Sequence, residues 1–215
     1  MGRDDWFRNA DWNPTVAQTF EAKLRRARRK ELYLRVQASV LRESHPDVAH
    51  ALLDRYFVLP KQFDAAQAYV DRAHAFLAQG RVEDALAAYE SALAREAEFP
   101  NLLTQAYLEL PFEIATRRLS RHYDRAVEVL TVNRARLTFP VEYFKWNAAR
   151  ALIAQATQHE SCSGFAREAL KAAERGASGF RYHPQIGLVP ETLAGVVAQM
   201  RSLCADPTWP PSRHA

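Results

Sequence analysis

The residues of this chain with the types and spacing for chemistry are few. His159, Glu160 and Cys162 fall close together, and all three side chains ligate zinc, but a zinc site needs about four convergent ligands and no second cluster accompanies them. They read as a solvated turn, and no metal site is expected. His45 and His50 stand five apart and do not share a helix face. There is no G-x-S-x-G elbow, glycine-rich phosphate loop, H-E-x-x-H pair or paired C-x-x-C. Seven glycines spread along the chain cannot build a dinucleotide cradle. No catalytic residue and no cofactor is therefore expected, and the chain reads as a non-enzyme. What remains is arginine chemistry. Of 29 basic residues only Lys23, Lys30, Lys61, Lys145 and Lys171 are lysine, so 29 − 5 = 24 are arginine. The planar guanidinium grips carboxylates and phosphates in a two-point geometry that lysine lacks.

Two clusters concentrate that chemistry. The run Lys23, Arg25, Arg26, Arg28, Arg29 and Lys30 is the strongest charge feature. It is read mainly as the solvated coat of a helix that buries Val16, Phe20, Leu24 and Ala27, with docking of an acidic protein or a nucleic acid as the functional alternative. Nucleic acid is not the expected partner, because so short a run neutralises few phosphates together. Arg181, Tyr182 and His183, in the stretch Gly179–Pro184, form the second cluster. That aromatic segment, like Trp6, Phe7 and Trp12 near the start, either caps a core or forms a recognition site.

The elements that position these residues read as helical throughout. Ala, Leu, Arg and Glu dominate, and no alternating run with hairpin punctuation stands out. Prolines mark helix starts: Asn13-Pro14 as a cap and first residue, then Pro46, Pro140 and Pro190, each with an acid shortly after it. Pro111 lies inside an apolar pattern and should start or kink a helix. The pattern predicts helices over 14–29, 30–43, 46–58, 64–78, 82–96, 101–120 with a kink, 122–137, 140–157, 163–175 and 190–204, the first two of which could run together. No apolar run reaches the roughly 18 residues of a membrane span, no signal peptide is evident, and two cysteines make no disulfide framework. A cytoplasmic, non-membrane protein is expected.

Within 66–97 the residues Tyr69, Ala73, Phe76, Gly80, Ala85, Tyr89 and Ala92 recur in an order in which small side chains let two helices approach and aromatics fill the gaps beside them. This segment resembles the tetratricopeptide repeat, a helix-turn-helix of about 34 residues. Weaker copies align through Tyr33, Ala49 and Tyr56, through Tyr123, Ala126 and Leu130, and through Ala166, Leu170 and Ala173. The alanines Ala49, Ala85, Ala126 and Ala166 are 36, 41 and 40 residues apart, not strictly periodic. The resemblance, which extends to uncharacterised bacterial proteins of this type, implies an all-α, right-handed solenoid of antiparallel helix pairs: about four degenerate repeats over 30–175, an aromatic segment and capping helix over 1–29, an aromatic loop and capping helix over 176–204, and a flexible tail over 205–215. It also implies a concave groove lined by the first helix of each pair, carrying Arg35, Arg42, Asp71, His74, Phe112 and Arg118 among apolar neighbours.

The function so implied is a scaffold or adaptor that binds a peptide or helix, acidic and with apolar anchors, through arginine–carboxylate pairs. Charge reversal at Arg35, Arg42 and Arg118 is expected to weaken binding and leave the fold intact. The lysines and asparagines of the family's chaperone-tail clamp are absent. An inhibitor or immunity-type protein occluding one enzyme is the first alternative, a nucleic-acid adaptor through 23–30 the second. Self-association, and blockage of the groove by the last helix, stay open.

Overall fold

Helix starts follow the capping chemistry of the sequence. The Asn13 side chain accepts hydrogen bonds from the amides of Thr15 (3.1 Å) and Val16 (3.0 Å), and Pro14 takes the first helical position, where no amide hydrogen is needed. Pro46 and Pro140 begin helices in the same way. Before Pro140, the Glu142 carboxylate turns back to accept from the amides of Thr138 (2.7 Å) and Phe139 (3.0 Å). The computed structural model describes residues 5–60 and 62–205, so the tail expected beyond 205 lies almost wholly outside the described residues. Among the described residues are ten α-helices and no strand: α1 Pro14–Arg26, α2 Lys30–Leu41, α3 Pro46–Phe57, α4 Ala65–Ala78, α5 Val82–Glu98, α6 Ala106–Thr116, α7 Tyr123–Val132, α8 Pro140–Ala156, α9 Cys162–Ala173 and α10 Ala194–Ala205. None is long and apolar enough to cross a membrane.

Two boundaries needed tertiary information. The stretch 14–43 is two helices, parted where Ala27 turns extended (ψ 139°). An unbroken helix would have stacked Arg25 on Arg29 and Arg26 on Lys30, like charges four apart. The helix expected from 101 begins at Ala106, because Thr104 intervenes. Its hydroxyl accepts from the Ala106 amide (3.1 Å), and its own amide is held by the buried Glu96 carboxylate (2.7 Å). Pro111 lies inside α6, where its missing N–H leaves the Tyr107 carbonyl without the usual helical donor.

Successive helices pack on one another. α2 packs with α3, α4 with α5 and α8 with α9 as hairpins, α3 also meets α4, and α9 also meets α10. This is the packing of an α-helical repeat. Three turns that follow helices α4, α6 and α8 share one hydrogen-bond pattern. Gly80 (φ +73°), Arg118 (φ +57°) and Gln158 (φ +53°) are left-handed, and the next amide reaches back five residues: Arg81 to Phe76 (2.9 Å), Leu119 to Ile114 (3.0 Å) and His159 to Ala154 (2.8 Å). This is the Schellman close of a helix. The α2–α3 turn differs, closing through the His45 amide on the Leu41 carbonyl (2.7 Å).

The chain divides into two compact units, Met1–Ala106 and Tyr107–Ala215. In the first, Phe20, Leu24, Leu34, Leu41, Leu53 and Tyr56 are buried together. Trp6 lies against that core, its ring 5.4 Å from Phe20 and 4.8 Å from Tyr33, with Phe7 and Trp12 beside it. The early aromatic segment is thus packed as a cap, and is tied down where Asn9 and Gln37 exchange hydrogen bonds (3.0 and 2.8 Å). The second unit buries Ile114, Leu130, Phe144 and Met200, with the Trp146 indole N–H donating to the Leu130 carbonyl (2.9 Å).

Candidate functional site

In the first unit, α2 and α4 bring Arg35, Arg42 and Asp71 together. Asp71 is fully buried. Arg42 Nη1 donates to its Oδ1 at 2.7 Å and Arg35 Nη1 to its Oδ2 at 3.3 Å, while Gln67 adds a longer bond at 3.4 Å. Arg35 also lies 3.3 Å from Asp64. Burying a charge is costly unless it is paired and hydrogen-bonded. Both arginines therefore belong to the fold's own charge balance, and their reversal tests stability before it tests binding. His74, on the same helix as Asp71, is half-buried with its ring 6.2 Å from Tyr89. At the α1–α2 corner Lys23, Arg25, Arg26, Arg28, Arg29 and Lys30 are all exposed, and Phe20 and Leu24 are the buried stripe beneath them.

In the second unit Phe112 is buried, with the Lys145 ammonium 5.2 Å from its ring and paired to Glu109 at 2.7 Å. Arg118 is exposed at the turn after α6 and lines a cavity of about 170 Å³ with Thr116, Gln155 and Gln199. Phe112 and Arg118 thus differ in availability, although the groove reading counted both among its lining residues. His159 and Cys162 do not converge. His159 is exposed and meets Ser161 Oγ at 2.8 Å, whereas Cys162 is buried and its thiol is pushed up to about 11 by burial, with a smaller contribution from Cys204. Among the described residues no group of three metal-ligating side chains gathers.

Arg181, Tyr182 and His183 lie in an ordered loop. The Ser178 amide donates to the Pro184 carbonyl (2.8 Å), His183 N–H to Phe180 (3.1 Å) and Ile186 N–H to His183 (3.1 Å). The loop is fastened to the start of α8. Phe180 stacks on Phe139 (5.2 Å, 20°), the Val141 amide donates to the Gly187 carbonyl (2.9 Å), and Gly187 (φ +70°) sits so close to Phe139 that a Cβ there would collide with the ring. So fixed, the loop exposes Tyr182 (80%), Ile186 (51%) and Phe180 (46%). Glycine at 187 is required twice over, for its backbone angle and for space.

Sequence reading marked Arg181–His183 but missed the anchor, Phe139, and the neighbouring aromatic face of α8. Phe139, Tyr143 and Trp146 recur at intervals of four and three, a helical signal visible in the sequence. No family model, curated protein or solved structure matches the chain.

Proposed function

We propose that the chain is a non-catalytic protein-binding module, an array of tetratricopeptide-type helix pairs in a right-handed solenoid that takes a peptide or helix bearing apolar anchors and carboxylates. The recurring left-handed turn at Gly80, Arg118 and Gln158 supports the repeat reading. The observation that carries the binding reading is the fastened loop of 178–190, which holds Tyr182, Ile186 and Phe180 in water. Exposing large apolar groups on a preorganised loop is unfavourable unless a partner covers them, and preorganisation lowers the entropy cost of binding.

The test is affinity capture from host lysate at low salt, read by mass spectrometry, with the native chain beside a Tyr182→Ser/Ile186→Ser double variant of unchanged circular dichroism. A protein enriched by the native chain and lost with the variant is the expected result. Capture indifferent to the variant would sink the assignment. Retention of nucleic acid, released by salt, would move the function to residues 23–30.

A further inference from the structure

Tyr143, Trp146 and Arg150 follow one another at intervals of three and four residues, so they share one face of α8 over roughly 10 Å, just beyond Phe139 at its N-cap. Three guanidiniums cover this face. Arg175 lies 5.6 Å from the Tyr143 ring centroid, while Arg134 and Arg150 lie 5.4 and 5.6 Å from that of Trp146. Arg150 is also 4.9 Å from Phe165, whose ring meets Trp146 edge-on at 5.9 Å.

Among the described residues these arginines, like Arg25, Arg26, Arg28, Arg29, Arg118 and Arg167, stand outside the chain's own ion pairs, but these three lie over the aromatic rings of one strip. Arg55, Arg72, Arg81, Arg95, Arg117 and Arg125 each pair with an Asp or Glu of this chain. Among the described residues no carboxylate pairs with Arg134, Arg150 or Arg175. The hydroxyl of Thr131, at 3.3 Å, is the acceptor that Arg150 finds. Arg150 is half-buried, and burial together with the charge of Arg134 holds its pKa below the ordinary arginine value. Two cations are thus kept near one another, one partly out of water, with no carboxylate paired to either among the described residues. An incoming carboxylate relieves that repulsion and gains a charge-assisted hydrogen bond. The adjoining loop has the same bias: residues 175–190 hold two arginines and a histidine and no Asp or Glu. The acid next in sequence, Glu174, lines a separate cavity with Glu191, between α9 and α10.

We propose that this strip of α8 seats an acidic segment of the partner protein, with carboxylates on Arg134, Arg150 and Arg175 and apolar anchors on Tyr182 and Ile186 of the adjoining loop. The inference rests on the protein-binding reading above and names the partner's chemistry at the same surface. Trp146 is buried beneath its arginines, so its ring offers no open face for a nucleotide base to stack on, which favours a peptide over single-stranded nucleic acid.

The experiment titrates the full chain with a fluorescein-labelled peptide in which Glu alternates with Leu, and in parallel with a labelled uridylate oligonucleotide of the same net charge. Anisotropy gives the affinity. The indole N–H resonance of Trp146, assigned with Trp146→Phe, reports on the strip itself. Saturable peptide binding that moves this resonance is expected, about tenfold weaker in Arg134→Gln/Arg150→Gln, a loss equivalent to one charge-assisted contact. Arg134→Gln alone, at an exposed position, keeps the test valid should Arg150→Gln unfold. Arg167→Gln, an exposed α9 position outside the strip, is the control for bulk charge. Absence of saturable binding, equal losses in the strip and control variants, or binding of the oligonucleotide alone would each overturn the proposal. Lysate capture with the Tyr182→Ser/Ile186→Ser variant would still decide the protein-binding reading by itself.

Discussion

Arg118 and Gln158 carry side chains on a left-handed backbone that Gly80 adopts without steric cost. An L-residue there is disfavoured by roughly 1–2 kcal/mol, part of which glycine gives back through its freer unfolded chain. Arg118→Gly and Gln158→Gly should each therefore raise unfolding stability by about 1 kcal/mol in urea titration, and Gly80→Ala should lower it by a similar amount. A loss on Arg118→Gly would mean that its side chain stabilises the turn by more than its backbone angle costs. His50 is a residue whose protonation bears on stability below neutral pH. It is half-buried, its ring 4.2 Å from Phe76, and burial first, then the charge of Arg72, holds its pKa below 6.5. The unfolded chain therefore binds the proton at a higher pH than the folded chain does. The stability contributed by the neutral ring is present above pH 6.5 and is lost as pH falls below it. His50→Gln should flatten the fall in thermal midpoint across that window; an unchanged slope would assign the fall to other groups.

Between elements, the Asp71 network joins α2 to α4 through charges largely withdrawn from water. Removing one partner of a buried ion pair costs about 3–5 kcal/mol, because the other charge is left uncompensated. Arg42→Glu goes further, setting a second acid beside a buried carboxylate. It should destabilise the chain by about 3 kcal/mol or more in urea, and Asp71→Asn in the same chain should recover part of the loss. Retention of full stability by Arg42→Glu would show that Asp71 finds its charge balance elsewhere. The expectation that this reversal leaves the fold intact places each arginine in an open groove, with its guanidinium available to a partner. Sequence places Arg35, Arg42 and Asp71 on their helices, but the separation of 36 positions between Arg35 and Asp71 hides the contact. The start of α6 was hidden for a like reason, since Thr104 acts as a cap only once Glu96 is buried beside it.

Over the whole molecule, a net charge of +4 says little about where a partner would bind. The placement of its charges says more: acids of this chain hold Arg35, Arg42, Arg55 and Arg72, whereas among the described residues Arg134, Arg150 and Arg175 lie over aromatic rings with no carboxylate paired to them. Local chemistry was legible from sequence alone. Capping at Asn13, proline starts at Pro46 and Pro140, the left-handed turn at Gly80 and the helical period of the apolar residues all act within a few residues of themselves, so they set the all-helical pattern and most helix limits. The tertiary structure decided which charges meet and which do not, that the early aromatics cap a core while Tyr182 and Ile186 face water, and that Arg118 and Gln158 turn as Gly80 does. Those outcomes depend on burial and on contacts between residues far apart in the chain, and neither burial nor distance in space is encoded at any single position.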